Sequence, residues 1–460
     1  MAEQFKEQGG AATMDPSPIR RWLQSKLLNN IMSYKRLQKQ RDRLEKRRIK
    51  SATQHRVEYF HQVDDPYSFL AAQCLAGLAQ RYDIELVCHL VSEPIGKNAP
   101  EPDLLRKLSR LDAYAIAPNY GLNFNHPSQQ PDAQLTECAT SILVSLATDN
   151  AQSLIDHVVV IGEVLWSSDE QALKTLSQEF GTASADQVKD TIKQGDTRRQ
   201  QLGHYSSAMF YYDGEWYWGV DRLYHLEKRF AAIGIDREAD RPLLMPRPQI
   251  SRGPLKDHGT LTLEFYASLR SPYTAIIFDR VIALADSTGI NLALRPVLPM
   301  VMRGVPATRT KGIYIFSDAA REAREAGVDF GNFYDPIGEP SRRCYSLYKW
   351  ACDQGKGVEL IGSFLNYAFV KGINTNNDRG LQKVVEHAGL DWHEARTVVG
   401  QPDWEDSLEC NRQAMYNAGL WGVPSFRLLS ETGEQILVTW GQDRLWLIAK
   451  EIQRQLRLRN

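Results

Sequence analysis

The sequence predicts an α/β protein made of two similar domains in tandem, preceded by a helical extension. The first observation behind this prediction is an internal repeat, because the segments beginning at Glu58 and Glu264 align with a constant offset of 206 residues. The second is that both copies have the same element order: strand, helix, strand, a long helical stretch, a β-hairpin and a closing helix. Matched pairs include Pro66/Pro272, Tyr67/Tyr273, Ile84/Ile290, Asp112/Asp318, Gly121/Gly327, Phe124/Phe330 and Cys138/Cys344.

Local signals justify each element. The apolar run "LTLEFYA" predicts a buried strand. Ser271 and Pro272 follow it and predict a helix start, because serine is a good N-cap and proline suits the first helical position. The dipeptides "DG" at 213–214 and "TG" at 432–433 mark the hairpin turns. The opening strand–helix–strand of each copy predicts a right-handed parallel crossover.

These patterns divide the chain into four parts. Residues 1–55 form a basic helical extension, and 56–235 form the first domain. Residues 236–258 are rich in proline and are expected to link the domains, and 259–460 form the second domain. After the two hairpins, Asp221-Arg222-Leu223 in the first domain matches Asp443-Arg444-Leu445 in the second.

Composition limits the class of protein. The chain has 460 residues, 43% of them hydrophobic, and a formal net charge of −1, which suits globular domains with their own cores. No apolar run is long enough for a transmembrane helix, and the N-terminus lacks the apolar region of a signal peptide. The six cysteines show neither C-x-x-C nor metal-ligand spacing. We therefore expect reduced cysteines, no metal site and a cytoplasmic location.

The extension is strongly basic. The segment from Pro16 to Lys50 contains 12 lysines and arginines but only two acidic residues, Asp42 and Glu45, so its formal net charge is +10. Apolar residues recur there at helical spacing, and we expect this stripe to pack on the main body of the protein. An anionic membrane surface is an open alternative, whereas no zinc pattern or RNA-binding signature supports a nucleic-acid partner. The stripe consists of Ile19, Trp22, Leu23, Leu27, Leu28, Ile31 and Met32.

Six segments of the second copy occur in an order shared with a known family. They are "FYASLRSPYT" (265–274), "LRPVLP" (294–299), "KGIYIFSDAAREAREAGVDF" (311–330), "FVKGINTNNDRGLQKVVEHAGLD" (369–391), "GLWGVPSF" (419–426) and "WGQDRL" (440–445). In this order the second copy resembles the DsbA-like branch of the thioredoxin fold, and within it the kappa-class glutathione transferases and the 2-hydroxychromene-2-carboxylate isomerases. The first copy is a fainter version. The resemblance implies two tandem thioredoxin-like domains of DsbA type, each with a helical insertion.

The resemblance also implies a catalytic role for Ser271. Redox members of the fold carry C-x-x-C at the strand–helix junction, and here those two positions are Ser271 and Thr274. Without the cysteine pair, dithiol chemistry has no reactants. A serine hydroxyl can instead donate a hydrogen bond to the thiolate of glutathione, the implied cofactor, and the positive helix N-terminus favours the same charged form.

Further contacts with glutathione are implied at the second copy's other motifs. Val423 precedes a proline that is usually cis in this fold, and its backbone would pair with the cysteinyl part of glutathione like an added strand. The acidic side chain of Asp443 would face the α-amino group, and cations would meet the carboxylates. The full implied set of binding residues is Lys311, Val423, Pro424, Ser425, Asp443 and Arg444.

The first copy differs at two of these positions. Asp65 stands where the second copy has Ser271, and its negative charge would repel a thiolate. In the segment "LGHYSSAMF", Tyr205 falls at about the place of Pro424. We therefore expect a degenerate domain kept for structure or for an interface. A different ligand, recognised through His204, Tyr205 and the aromatic residues that follow, stays open.

Two functions follow from these observations. The first is a glutathione-dependent isomerase or transferase that acts on a small electrophile, aromatic or not, through a thiolate stabilised by Ser271. Specificity for the electrophile would come from apolar side chains of the helical insertion, such as Phe364, Tyr367 and Phe369. The alternative is a non-catalytic thioredoxin-like scaffold, or an oxidoreductase-like protein of the DsbA family without a redox pair. A homodimer and an internal pseudo-dimer of the two copies are both compatible with the repeat.

Overall fold

The chain folds into two compact units in a computed structural model that describes residues 15–126, 128–305 and 307–459. Described residues up to Gln38 and from Gln249 onward form one unit, hereafter the C-terminal unit, and those from Lys39 to Pro248 form the N-terminal unit. The division at 248/249 lies within the segment predicted to be a linker. Residues 1–14 of the predicted extension lie outside the described residues.

The N-terminal unit contains a four-stranded sheet and a helical insertion between its second and third strands. Helix α2 (Tyr34–Ser51) begins in the C-terminal unit and continues into this one. The strands are β1 (Arg56–His61), β2 (Glu85–Leu90), β3 (Met209–Tyr212) and β4 (Glu215–Trp218). The other helices are α3 (Pro66–Ala72), α4 (Leu75–Arg81), α5 (Pro102–Ile116), α6 (Ala133–Asp149), α7 (Ala151–Trp166), α8 (Glu170–Phe180), α9 (Ala185–Gln201) and α10 (Gly219–Ala232).

The C-terminal unit repeats this plan and adds helix α1 (Pro18–Met32) from the extension. Its strands are β5 (Thr262–Ala267), β6 (Asn291–Pro296), β7 (Ser425–Leu429) and β8 (Gln435–Trp440). Its other helices are α11 (Pro272–Thr288), α12 (Arg309–Ala326), α13 (Glu339–Ser346), α14 (Tyr348–Asp353), α15 (Gly357–Phe369), α16 (Asp378–His387), α17 (Trp392–Val398), α18 (Trp404–Asn417) and α19 (Leu445–Arg459). None of the helices within the described ranges is long and apolar enough to cross a membrane.

Both sheets have the same strand order and directions. The orders are β2-β1-β3-β4 and β6-β5-β7-β8. In each, the first two strands in sequence are parallel and the hairpin that follows the insertion is antiparallel to them. The predicted α/β class, with a helical extension and a helical insertion in each unit, is confirmed.

The core of the C-terminal unit lies around strand β5. Phe265 of β5 stacks on Phe426 of β7 with ring centroids 5.1 Å apart, and Phe278 of α11 packs against the same ring from the helix side. Phe364 and Phe369 of α15 are fully buried in this core. The expectation that these two rings provide specificity for an electrophile is therefore wrong, because their apolar area is removed from water by packing within the domain. Tyr367 is half-buried beside His387.

Helix α1 packs on the C-terminal unit through a polar face. Arg21 is only 1% exposed, and its Nη1 donates to the carbonyls of Asp335 (2.7 Å) and Ile337 (2.6 Å). One turn on, Ser25 Oγ accepts from the Asp335 N–H at 3.0 Å. After another turn, Asn29 binds both backbone groups of Phe333, at 2.7 and 3.0 Å. The helix thus supplies partners for a buried, non-sheet backbone segment, which would otherwise have unsatisfied polar groups.

This arrangement corrects the prediction for the apolar stripe. Met32 is buried in the core and Leu28 packs against it, but the rest of the stripe does not cover the domain. The helix does pack on its own chain, as predicted, but through a different face. Side chains at 21, 25 and 29 lie on one face at helical spacing, and this face contacts segment 333–337. The opposite face of the helix therefore points outward. The exposed members of the stripe are Ile19, Trp22, Leu23 and Leu27.

Replacing Arg21 tests the contribution of this contact. Arg21→Met keeps the length of the side chain but leaves two buried carbonyls without their donor. We expect the free energy of unfolding of the C-terminal unit to fall by about 2–4 kcal/mol, since each unsatisfied buried group costs roughly 1–3 kcal/mol. Urea denaturation followed by tryptophan fluorescence measures this, with Arg20→Met at the exposed neighbouring position as the matched control. Equal midpoints for the two variants would show that the contact does not stabilise the unit.

Candidate functional site

Ser271 caps the helix that follows strand β5. Its Oγ accepts a hydrogen bond from the Thr274 N–H at 3.1 Å, and Pro272 occupies the first helical position. The strand is buried from Leu263 to Ala267, and the chain turns into the helix just beyond its carboxyl end, where serine satisfies one of the free N–H groups of the helix. Ser271 is half-buried at the positive end of a 17-residue helix.

The same hydroxyl meets the segment that enters strand β7. Ser271 Oγ donates to the carbonyl of Val423 at 3.3 Å, across 152 residues of sequence. The Val423–Pro424 peptide bond is cis, as the resemblance implies, and it is the only cis peptide bond among the described residues. The bond from Ser271 is long for an O–H···O hydrogen bond. The hydroxyl can therefore donate to a stronger acceptor instead, at little cost in hydrogen-bond energy. The structure therefore brings Ser271, Val423 and Pro424 together.

Two tryptophans flank the Val423–Pro424 pair. Trp421 and Trp440 have ring centroids 5.2 Å apart. A Cβ at Gly422 would lie 2.5 Å from the Trp440 Nε1, so only glycine fits this position. The Trp421 Nε1 is buried and has no hydrogen-bond partner in the part of the chain that the structure describes. It is a donor that a ligand oxygen could satisfy. The motif "GLWGVPSF" contained this tryptophan, but nothing in the sequence marked it as a site residue.

Lys311 lies near Trp421. Its Nζ is 5.5 Å from the centre of the indole ring, within the range of a cation–π interaction. Lys311 is placed in the first turn of α12, whose start is capped by Thr308 Oγ1, an acceptor for the Lys311 N–H at 3.2 Å. Burial lowers the pKa of the Lys311 ammonium to about 8, because desolvation disfavours the charged form. The carbonyl of Trp421 accepts from Arg303, a residue that sequence analysis missed.

Asp443 lies on a segment tied to the cis proline. The Gly441 N–H donates to the Pro424 carbonyl at 2.9 Å, two residues before Asp443. Asp443 is half-buried and accepts a hydrogen bond from Gln442, whose amide also donates to Glu322 at 2.9 Å. Its carboxylate thus has a defined position beside α12.

Two predicted binding residues point into the protein. Ser425 is fully buried, and its Oγ donates to the Gly422 carbonyl at 2.7 Å, which fixes the turn before β7. Arg444 is 1% exposed, so its guanidinium does not reach open solvent. The structure therefore groups Ser271, Val423 and Pro424 directly, places Lys311 and Asp443 on adjoining segments, and keeps the side chains of Ser425 and Arg444 inside.

A tyrosine–aspartate hydrogen bond supports the helix that follows the opening strand in each unit, α11 in the C-terminal unit and α3 in the N-terminal unit. Tyr273 donates to Asp318 at 2.8 Å, and Asp318 also accepts from Arg321 at 2.6 Å. In the N-terminal unit, Tyr67 donates to Asp112 at 2.7 Å. Both partners are matched across the repeat at an offset of 206, so the repeat itself carried the signal for this bond. Because it occurs in both units, it is a structural link between helices and does not distinguish one site from the other.

Strand pairing corrects the alignment of the first copy. Phe60 pairs with Met209 in one sheet, and Tyr266 pairs with Ser425 in the other. Phe60 and Tyr266 are related by the offset of 206, so their partners Met209 and Ser425 occupy equivalent positions. The long helical insertions differ in length, which is why sequence comparison alone could not fix this register.

It follows that Ala208 corresponds to Pro424, and that Tyr205 corresponds to Trp421. The prediction that Tyr205 stands near Pro424 was wrong by three residues. Ala208 adopts a positive φ of 54°, and its carbonyl accepts from the Gly219 N–H at 2.7 Å, as the Pro424 carbonyl does in the other unit. This backbone hydrogen bond is thus retained without the proline and without a cis peptide bond at this position.

Asp65 occupies the helix cap of the N-terminal unit. Its carboxylate accepts from the N–H groups of Tyr67 and Ser68, and from the hydroxyls of Ser68 (2.8 Å) and Ser207 (3.0 Å). Burial outweighs these bonds and raises the pKa of Asp65 to about 6. At neutral pH this position therefore holds a carboxylate that accepts hydrogen bonds, where the C-terminal unit has a hydroxyl that can donate one.

Within the described residues, the strand–helix junctions contain neither a cysteine nor a group of metal-ligating side chains. No group of histidine, cysteine, aspartate or glutamate within the described ranges has the geometry to hold a metal ion. All six cysteines are free of disulfides, and the strand–helix junctions contain none of them. Cys344 is fully buried, and burial raises the pKa of its thiol.

Comparison with known proteins identifies the class of the C-terminal unit. Residues 262–453 match the family model of the DsbA-like thioredoxin domain. The C-terminal unit therefore contains a DsbA-like thioredoxin domain, which confirms the predicted resemblance of the second copy to the DsbA-like branch of the fold. No curated protein matches the chain.

Solved structures similar to the chain cover less than half of it. A 2-hydroxychromene-2-carboxylate isomerase is 18% identical, with coverage of 43% of this chain and 97% of its own and a TM-score of 0.37. The cytosolic disulfide reductase DsbM from Pseudomonas aeruginosa is 20% identical, with coverage of 43% and 99% and a TM-score of 0.34. A probable DsbA oxidoreductase from Streptomyces coelicolor is 17% identical, with coverage of 42% and 91% and a TM-score of 0.34.

Asp65 should make stability depend on pH. The folded pKa of about 6 exceeds the unfolded value of about 3.9, so between these values the folded state binds more protons. Stability conferred by this group is therefore present below about pH 4 and is lost as pH rises to about 6. We expect Asp65→Asn to abolish this loss, measured as the difference in unfolding free energy between wild type and variant from pH 4 to pH 7. A difference that does not change with pH would show that folding does not raise the pKa of Asp65.

Proposed function

We propose that the C-terminal unit is a glutathione-dependent isomerase or transferase acting on a small electrophile. The observation that carries this proposal is the Ser271 hydroxyl, which sits at the N-terminus of α11 and donates only a long bond to the Val423 carbonyl. A donor so placed stabilises a negatively charged sulfur, since hydrogen bonding and the helix dipole both favour the anion.

The residues around Ser271 fit the groups of glutathione. Val423 precedes β7, and its N–H has no hydrogen-bond partner in the described part of the chain, so an extended peptide can pair with this backbone. The unpaired Trp421 Nε1 offers a donor to a ligand oxygen. Lys311 supplies a cation for a carboxylate, and Asp443 a carboxylate for an ammonium group. Ser425 and Arg444 would act by holding these segments in place.

The proposed reaction uses the thiol of bound glutathione and the hydroxyl of Ser271. Glutathione, when bound, would supply a thiol able to add to a conjugated double bond and to leave again. The hydroxyl of Ser271 would move from the Val423 carbonyl to the sulfur and lower the thiol pKa towards neutrality. Thr274, at the second position of the absent cysteine pair, has a fully buried Oγ1 and offers no second thiol. Dithiol–disulfide exchange therefore has no reactive pair in this site.

The N-terminal unit has a different role in this proposal. Asp65 presents a negative charge at the position where Ser271 presents a hydrogen-bond donor. A negative charge beside a bound thiol would raise the pKa of that thiol. We propose that only the C-terminal unit binds glutathione, with one site per chain, and that the N-terminal unit is a non-catalytic partner domain.

Removal of the Ser271 hydroxyl should destabilise the thiolate form of bound glutathione. Ser271→Ala deletes one hydrogen bond to a charged acceptor, about 1.5–3 kcal/mol, which corresponds to a rise of about 1–2 in the pKa of bound glutathione. Ultraviolet absorbance of the thiolate as a function of pH measures it. Thr274→Val is the matched control, because it removes a hydroxyl three residues away that has no hydrogen-bond partner within the described residues. If Ser271→Ala and Thr274→Val titrate alike, Ser271 does not stabilise the thiolate.

Lys311 should contribute a pH-dependent part of the affinity. With a pKa of about 8, Lys311 loses its charge as pH rises from 7 to 9, and its attraction for a ligand carboxylate is lost with it. We expect Lys311→Gln to weaken binding about tenfold at pH 7 and to change affinity little at pH 9. S-methylglutathione, which has no thiol to titrate, is the appropriate probe in calorimetry.

The exposed Lys371→Gln in the same unit is the control for this measurement. A loss of affinity equal at both pH values would indicate that Lys311 acts through packing rather than charge. Equal affinity for Lys311→Gln and Lys371→Gln would remove Lys311 from the site.

A further inference from the structure

Helix α1 leaves an apolar stripe unused by its own domain. Ile19 (73% exposed), Trp22 (49%), Leu23 (54%) and Leu27 (46%) recur at i, i+3, i+4 and i+8, which places them on one face of the 15-residue helix. The opposite face is already fixed by Arg21 on segment 333–337. From this arrangement we propose that the stripe is a docking surface for an anionic lipid membrane. This inference does not depend on the proposed glutathione chemistry.

The exposed apolar residues of α1 are contiguous on one face of the helix and are not scattered singly over the surface. Single exposed hydrophobic side chains are ordinary, but a contiguous row that includes tryptophan marks an interaction surface. Packing on segment 333–337 holds the helix in place, so the row cannot turn inward without breaking the contacts of Arg21, Ser25 and Asn29. The stripe is therefore presented outward by the fold itself.

Charge around the stripe selects the partner. Residues 16–41 contain seven lysines and arginines and no acidic residue. Arg21 is used inside the domain, while Arg20 and Lys26 beside the stripe, and Lys35 and Arg36 after it, are exposed. The Lys26 Nζ lies 5.7 Å from the centre of the Trp22 ring, so cationic and aromatic groups occupy the same surface. Apolar side chains flanked by basic ones are typical of helices that lie in the headgroup region of anionic bilayers.

A second copy of the chain fits this surface less well. Isologous pairing of the stripe about a two-fold axis would bring together the two surfaces that carry Arg20 and Lys26, and their like charges would oppose the association. A bilayer with anionic lipid satisfies both features at once. It accepts Trp22 and the aliphatic side chains at the interface and attracts the basic residues to its headgroups.

The orientation that results is parallel to the membrane. The helix is about 22 Å long at 1.5 Å per residue, and its polar face is bound to the C-terminal unit, so it can lie on the surface but cannot insert across it. The C-terminal unit would be held against the bilayer by α1.

Cosedimentation of the full chain with vesicles tests the proposal. We expect binding to phosphatidylcholine vesicles that contain phosphatidylglycerol, little binding to phosphatidylcholine alone, and a loss of binding as salt rises. Leu23→Ser with Leu27→Ser should weaken binding by at least about tenfold. Lys26→Gln should weaken it about fivefold. Leu458→Ser, at a side chain that is 70% exposed in α19, is the matched control and should bind as wild type.

Several outcomes would overturn the proposal. One is an absence of binding to anionic vesicles, and another is equal binding by the stripe variant and Leu458→Ser. A third is binding only after residues 1–14 are removed, which would show that those residues cover the stripe. A fourth is concentration-dependent dimerisation, lost in Leu23→Ser with Leu27→Ser, without vesicle binding, which would assign the stripe to a second copy. Unfolding midpoints equal to wild type establish that the variants, all at exposed positions, remain folded.

Discussion

Strand β5 has a parallel neighbour on one side and an antiparallel neighbour on the other, and the candidate site depends on this pairing. Because β6 is parallel to β5, the chain must leave β5 through a crossover helix, and the N-terminus of that helix lies at the carboxyl end of the strand. Because β7 is antiparallel, it begins where β5 ends, with Ser425 opposite Tyr266. A helix cap and the residues that precede β7 must therefore meet, which brings Ser271 to the Val423 carbonyl.

The same geometry exists in the N-terminal unit, where it supports different chemistry. Both sheets have one strand order, and in both a glycine N–H binds the carbonyl at the position that Pro424 occupies. The two units differ in the charge of the helix-cap residue and in whether its side chain can donate a hydrogen bond. A buried carboxylate such as Asp65 accepts four hydrogen bonds and has none to give when ionised, whereas a serine both accepts and donates. Fold and function are thus separable here at the level of a single side chain.

The extension illustrates how a helix can use both of its faces. A polar face was buried because segment 333–337 has backbone groups that need donors and acceptors, and Arg21, Ser25 and Asn29 provide them at successive turns. Asp335, whose carbonyl is held by Arg21, also binds Arg270 through its carboxylate at 2.8 and 3.0 Å. Arg270 directly precedes Ser271. A helix far upstream in sequence is in this way part of the packing that supports the strand–helix junction.

Much of this could be predicted from the sequence. The repeat fixed the element order and the equivalence of the two sheets, and the Ser-Pro pair marked the helix start, since caps and apolar strands are local signals. The alignment of Tyr205 with Pro424 failed because no local signal carries register across a long insertion, and strand pairing had to decide it. The outward stripe of α1, the buried Arg444 and the core positions of Phe364 and Phe369 were also decided only by the tertiary structure. Helical periodicity identifies a face, but which face is buried depends on the polar groups and the shape of the surface it meets.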